Sequence, residues 1–269
     1  MSFYWIYDIP NWQVGTSICG ASCVFAWLGI LTTRPLVRRW LGPEPASNDM
    51  VSYFVSAFGV FYGLMLGLIA VGTYENLANV EEAVGREVAA LGALHRDASN
   101  FPEPARTELQ GLLRKQCRFV AEDAWPSQRR GEINEGGGPI INEFMTRLVA
   151  LETQTKSMEH LHSETLRQLN AYLELRRIRI NSVTTGLPAT LWYVVILGAV
   201  GNLLLCFLFS VDRLPLHLAL AGVLAFFIGL VIFLIAAMDN PYRGEFSVSP
   251  EPFVTLLNGA MNPAGESPK

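Results

Sequence analysis

Residues Val51–Tyr74 read VSYFVSAFGVFYGLMLGLIAVGTY, a long apolar stretch without a charged side chain. At a rise of about 1.5 Å per residue, a helix of this length crosses the roughly 30 Å hydrocarbon core of a bilayer. We therefore predict a transmembrane helix here, and the rest of the chain is organised around it.

The side chains of this span are sorted by face. At about 100° per residue, one side of the helix carries small residues, namely Ser56, Gly59, Gly63 and Gly67. The opposite side carries large ones, namely Phe54, Phe58, Phe61 and Met65. We interpret the small face as a helix-packing seam, within one subunit or between subunits. The aromatic face is either lipid-facing bulk or a pore gate that opens by wetting.

The composition is that of a membrane protein. Of 269 residues, 51% are hydrophobic and only 16% are charged, whereas soluble domains are about 25% charged. The net charge of −4 argues against a nucleic-acid partner, which would need a basic surface. The expected surroundings are therefore the lipid bilayer.

Four apolar runs predict an all-α polytopic membrane protein with four transmembrane helices. Residues 1–74 form the first transmembrane pair, with spans at about 12–31 and 51–74. Residues 188–238 form the second pair, with spans at about 188–209 and 214–238. Between the pairs lies a helical extramembrane region, residues 75–187, and residues 239–269 are a polar C-terminal tail.

The extramembrane region is predicted to be built from long helices. The second span continues to about Asn100, because no proline interrupts its apolar spacing. A helix at about 105–124 should be stopped by Trp125–Pro126, and a glycine-rich loop follows. A single long helix is then expected over about 140–183.

Acidic residues flank the second span. Asp49 precedes it, and Glu75, Glu81 and Glu82 follow it. Repeated around a symmetric assembly, such residues would form acidic rings that favour cations. The alternative is ordinary solvated surface.

The sequence offers no chemistry for an enzyme, a metal or a cofactor. It contains no Ser/His/Asp, HExxH or CxxC constellation, and His160 and His162 are two residues apart, so on a helix they do not share a face. No span carries a charged residue at its centre, which makes a transporter less favoured than a channel.

The order of several short motifs resembles the DUF4239 family of bestrophin-like membrane proteins. The resemblance covers nearly the whole chain. The matching pieces are Asn48, Phe58–Gly63, Tyr74–Glu75, Trp125–Pro126, Arg176–Arg177, Leu187–Trp192, Asp239–Gly244 and Val248–Pro250.

The resemblance implies an oligomeric ion channel, because bestrophins are channels with four spans and a pore lined by the second. By position, Phe54, Phe58 and Phe61 would form the pore neck. The resemblance also places region 75–187 in the cytoplasm, beneath the inner membrane. The charge pattern alone mildly favours the outside for this region. Arg34, Arg38 and Arg39 in the short first loop indicate the outside and count more than Arg176, Arg177 and Arg179, which indicate the inside.

Two functions follow as hypotheses. The first is a homo-oligomer that conducts inorganic ions, with a weak preference for cations. The second is a non-conducting membrane scaffold or sensor whose long helices recruit a partner.

Overall fold

The computed structural model describes residues 4–41, 45–152 and 155–262, and every regular element within these ranges is helical. A 3-10 turn at Tyr4–Asp8 comes first. The α-helices that follow are α1 Asn11–Leu41, α2 Pro45–Ala98, α3 Ala105–Phe119, α4 Trp125–Arg129, α5 Gly137–Val149, α6 Lys156–Ser182, α7 Ala189–Phe207, α8 Leu214–Met238 and α9 Glu251–Asn258. A π-helical turn at Val120–Ala124 links α3 to α4.

Four of the described helices, α1, α2, α7 and α8, are long and apolar enough to cross a membrane. The uninterrupted second helix predicted from the sequence is confirmed, since α2 is continuous over 54 residues. At about 1.5 Å per residue, it is far longer than a bilayer core is thick.

The chain forms two compact units. The first comprises residues up to Asn76, together with Gly186–Asn240 and Gly244–Phe246. The second comprises Leu77–Thr185, Pro241–Arg243 and the residues from Ser247 onward. Residues 45–76 of α2 therefore belong to the first unit, and residues 77–98 to the second.

The first unit is held together by close contact between α1 and α8, with α7 packed against both. Gly229 of α8 permits this approach, because a Cβ at that position would lie 3.0 Å from the Cα of Cys19 and 2.9 Å from the Oγ of Ser22. The contact between the two helices thus depends on the missing side chain.

The second unit has its own apolar core. It is built from α2, α3, α5, α6 and α9, whose buried side chains include Leu94, Leu113, Phe144, Leu169 and Phe253. Within the described ranges these residues alternate with charged positions at helical spacing, so each helix turns one face inward.

The first two helices extend beyond their predicted spans. α1 continues past the predicted span to Leu41 and carries Arg34 and Arg38 within it. Arg34 donates from Nη2 to the backbone oxygens of Val211 and Asp212. α2 begins at Pro45, ahead of the predicted span at 51–74, so Asn48 lies inside this helix.

The sequence predicted that Trp125–Pro126 would stop the preceding helix, and this prediction is wrong. Helical backbone resumes at Trp125 directly after the π-helical turn. Pro126 stands in the first turn of α4, where a missing N–H costs little.

The single helix expected over 140–183 is wrong. α5 ends at Val149 and α6 begins at Lys156. Thr155 caps α6, because its hydroxyl accepts a hydrogen bond from the Met158 N–H at 3.2 Å.

The segment after residue 239, expected as a polar tail, is folded as far as it is described. Tyr242, Val248 and Phe253 are buried in the core of the second unit. The proline-rich composition of this segment concealed these widely spaced apolar anchors.

Candidate functional site: the exposed faces of the second helix

The first-unit part of α2 is fastened to its own chain at two places. The Tyr62 hydroxyl donates to the Val195 carbonyl oxygen at 2.8 Å, and its ring fills the space left open by Gly198. Asn48 makes two reciprocal hydrogen bonds with the backbone of Ser210, at 2.8 and 2.9 Å. These contacts fix which side of α2 faces inward.

The covered side of α2 is narrow. Tyr62, Leu66 and Thr73 are buried, and they lie on one side of the helix at about 100° per residue. The exposed apolar side chains outside this strip include Tyr53, Val60, Leu64, Leu68 and Val71. Most of the apolar surface of the first-unit part of α2 is therefore left uncovered by the described residues of its own chain.

The predicted gate residues do not share one environment. Phe54 and Phe61 are 60% and 75% exposed. Phe58 is only 37% exposed, because it leans on α7, where a Cβ at Gly201 would lie 3.2 Å from its ring, and it stacks on Tyr62. Met65 is partly buried against the first-unit core. Phe54 and Phe61 are thus largely exposed, whereas Phe58 and Met65 are packed against their own chain.

The predicted packing seam has open space over it as far as the chain is described. A Cβ at Gly59, Gly63 or Gly67 would meet no atom within 4 Å, and Ser56 is exposed. No described helix of the same chain thus packs closely over these three glycines.

The four acidic candidates are all exposed. Glu82 forms an ion pair with Arg86 one turn further along α2. Among the described residues, Glu75 makes no ion pair. Glu75 therefore keeps an uncompensated charge close to the apolar part of the helix.

The second unit contains a buried ion pair that the sequence analysis did not predict. Glu87 of α2 is wholly buried, and its carboxylate accepts hydrogen bonds from Arg179 of α6 at 2.6 and 3.2 Å. Burial raises the pKa of Glu87, and the positive charges of Arg179 and Arg176 oppose that rise. The sequence does contain a signal for this pair. By helical spacing, Glu87 falls on the same face as Val80, Val84, Leu91 and Leu94, where an apolar residue would be expected.

Two of the quoted motifs meet in the first unit. Asp239 accepts hydrogen bonds from the Leu187 N–H and from the indole N–H of Trp192, the latter at 3.2 Å. Burial raises the pKa of Asp239, and both hydrogen bonds oppose the rise. Asp239 thus fixes the start of α7 against the end of α8.

Comparison with known proteins gives the family. A family profile described as a bestrophin-like domain matches residues 20–253. No curated protein matches the chain.

Solved structures share the fold. A crystal structure of a bacterial bestrophin homologue from Klebsiella pneumoniae, carrying one substitution, superposes with a TM-score of 0.67 at 13% sequence identity, over 92% of this chain and 99% of the other. A second variant of a bacterial bestrophin homologue from the same organism superposes with a TM-score of 0.63 at 11% sequence identity, over 91% of this chain and 96% of the other.

The match covers most of the chain, and the four apolar helices fit an integral membrane protein. The narrower DUF4239 assignment stays a prediction. The chain belongs to the bestrophin-like family.

Proposed function

We propose that this protein is an ion channel assembled from several copies of the chain, with α2 lining a central pore. The observation that carries the proposal is the one-sided coverage of α2. Its own chain covers the strip around Tyr62 and Leu66, and leaves the remaining apolar faces exposed. A helix with so much uncovered apolar surface is suited to contact with other copies and with a pore. The resemblance to bestrophins, which are oligomeric ion channels, supports the same function.

The pore-lining face is the one opposite the covered strip. At about 100° per residue, Leu64 points directly away from Tyr62 and Leu66, with Val60 and Leu68 beside it. In a ring with the other helices of each subunit behind α2, this face turns toward the axis.

The gate lies on the same exposed surface. Phe54 and Phe61 stand at the border of the Leu64 face, and neither is held by its own chain as Phe58 is. A ring of such side chains excludes water when narrow and conducts when it widens and wets. Phe58 and Met65 then support the gate from the side rather than obstruct the path.

The glycine seam serves as a contact between subunits. Gly59, Gly63 and Gly67 lie to one side of the proposed pore face, and the space over them is open. Small residues at this spacing let a neighbouring helix approach closely. The seam thereby sets how near adjacent copies of α2 can come.

The conducted ions are inorganic, with a preference for cations. Glu75 is exposed at the end of the apolar stretch and is not paired within the described ranges. Repeated around the axis, it gives a ring of negative charge at one pore mouth. Asp49 and Glu81 add to the acidic flanks, whereas Glu82 is offset by Arg86.

The chain is proposed to lie in the inner membrane with region 75–187 in the cytoplasm. This orientation rests on the resemblance to bestrophins. Three arginines favour a cytoplasmic position for region 75–187. One of them, Arg179, forms an ion pair with buried Glu87, so it does not count as a loop charge when the orientation is assigned.

Cation flux into proteoliposomes tests the proposal. The purified intact oligomer should carry potassium faster than empty vesicles do. Phe61→Ala should raise the rate several-fold, because it widens the apolar constriction. The matched control is Phe227→Ala on α8, where an exposed phenylalanine is removed without touching α2.

Two results would overturn the proposal. One is the absence of flux from an oligomer that is intact by size-exclusion chromatography. The other is equal flux from the Phe61 and Phe227 variants, which would show that conduction does not depend on the exposed face of α2.

A further inference from the structure

A groove of about 350 Å³ lies in the second unit, between the first turns of α5 and the later part of α6. One wall carries Ile133, Glu135, Pro139 and Asn142, and the other carries Arg176 and Ile180. Its size is within the range of small-molecule sites. The groove belongs wholly to the second unit and has no part in the proposed pore.

The two walls carry opposite charges that do not meet. Arg176 and Glu135 both line the groove, yet within the described ranges neither of them forms an ion pair with any residue. Arg176 and Glu135 therefore bring opposite charges to the groove without an ion-pair partner among the described residues.

The remaining lining is apolar with one amide. Ile133, Pro139 and Ile180 offer hydrocarbon, and Asn142 offers both a donor and an acceptor. A cation at one wall, an anion at the other and an apolar surface between them match a molecule that carries both charges close to a hydrocarbon side chain.

We propose that this groove binds a small zwitterion, namely an α-amino acid with an apolar side chain. Its carboxylate accepts from the guanidinium of Arg176, as guanidinium–carboxylate pairing favours. Its ammonium group donates to the carboxylate of Glu135. Its side chain lies against Ile133 and Ile180.

Ligands with one charge fit less well. Inorganic phosphate would face the carboxylate of Glu135, and like charges in one groove repel. An aliphatic amine would leave the positive charge of Arg176 without an anion. The zwitterion satisfies both walls.

Isothermal titration calorimetry on the purified full-length protein in detergent tests the proposal. The probes are L-alanine, L-valine and L-leucine, with 4-methylpentanoate, isoamylamine and inorganic phosphate as single-charge comparisons. We expect saturable binding of at least one amino acid and at least about tenfold weaker binding of each single-charge probe.

Two variants with matched controls locate the site. Arg176→Gln and Glu135→Gln should each weaken amino-acid binding about tenfold or more. Arg177→Gln and Glu122→Gln remove the same charges from exposed positions that do not line the groove, and they should bind as the wild type does. The melting temperature of each variant shows that it is folded.

Three results would overturn the proposal. The first is no saturable heat with any of the amino acids. The second is binding of 4-methylpentanoate or isoamylamine as tight as that of the best amino acid. The third is unchanged binding in folded Glu135→Gln protein, which places the ligand elsewhere even if Arg176→Gln fails to fold.

Discussion

Arg179 donates two hydrogen bonds to Glu87, from Nε at 2.6 Å and from Nη2 at 3.2 Å, and both side chains are removed from solvent. The guanidinium also lies over the ring of Phe253, 5.8 Å from its centroid, and the Tyr242 hydroxyl donates to the Arg179 carbonyl oxygen. Arg179 thus joins α2, α6 and the C-terminal segment inside the second unit.

Breaking this pair from one side should destabilise the protein strongly. Arg179→Met leaves the Glu87 carboxylate buried without its cation, and we expect a loss of about 3–5 kcal/mol. The double variant Glu87→Leu/Arg179→Met removes both charges and should recover much of that loss. Thermal unfolding followed by circular dichroism measures both. A double variant no more stable than Arg179→Met would contradict the account.

The same variant should make stability depend on pH. Burial raises the pKa of Glu87, and Arg179 opposes that rise, so Arg179→Met raises the pKa further. An acid whose folded pKa exceeds its unfolded value, roughly 4.3, stabilises the fold below that value and loses this contribution as pH rises through the folded pKa. The melting temperature of Arg179→Met should therefore fall as pH rises above about 4.3. Glu87→Gln/Arg179→Met should abolish the extra slope, and a slope that persists there would assign the effect to another group.

A bulky residue in the glycine seam should dissociate the assembly without unfolding the chain. Gly63→Leu meets no described atom of its own chain near the Cβ, but it blocks a neighbouring helix. Size-exclusion chromatography with light scattering should show a smaller oligomer. Gly20→Leu is the control, because Gly20 is equally open and lies on α1. An unchanged oligomer size for Gly63→Leu would show that the seam is not part of the interface between subunits.

Neutralising Glu75 should reduce the preference for cations. We expect Glu75→Gln to move the reversal potential in a potassium chloride gradient toward that of chloride. Glu82→Gln should have a smaller effect, because the charge of Glu82 is already offset by Arg86. Equal shifts in the two variants would show that the reversal potential reports general surface charge.

The sequence predicted those parts of the fold that local patterns determine. The 54-residue helix α2 follows from an apolar series without proline, and the bounds of α8 follow from its uniform hydrophobicity. The break before α6 was missed because Thr155 caps the helix through one local hydrogen bond, which apolar periodicity does not register.

The candidate site was predictable only in part, because its faces depend on tertiary contacts. Periodicity separated the glycines from the phenylalanines, but only the contact of Phe58 with Gly201 separates Phe58 from Phe61. Glu87 and Arg179 stand 92 residues apart. Glu87 was visible as a charge at an apolar position of α2, yet its pairing with Arg179 required the folded second unit.

Recording single-channel currents from a cysteine variant tests the central claim, that α2 lines a conducting path, most directly. Leu64→Cys places a thiol on the proposed pore face, and Phe227→Cys places one on α8. The wild type controls for the four native cysteines, of which three are buried. A positively charged thiol reagent should reduce the unitary cation current of Leu64→Cys and leave the wild type and Phe227→Cys unchanged. The absence of unitary currents from the intact oligomer, or a Leu64→Cys current that the reagent does not alter, would contradict the account.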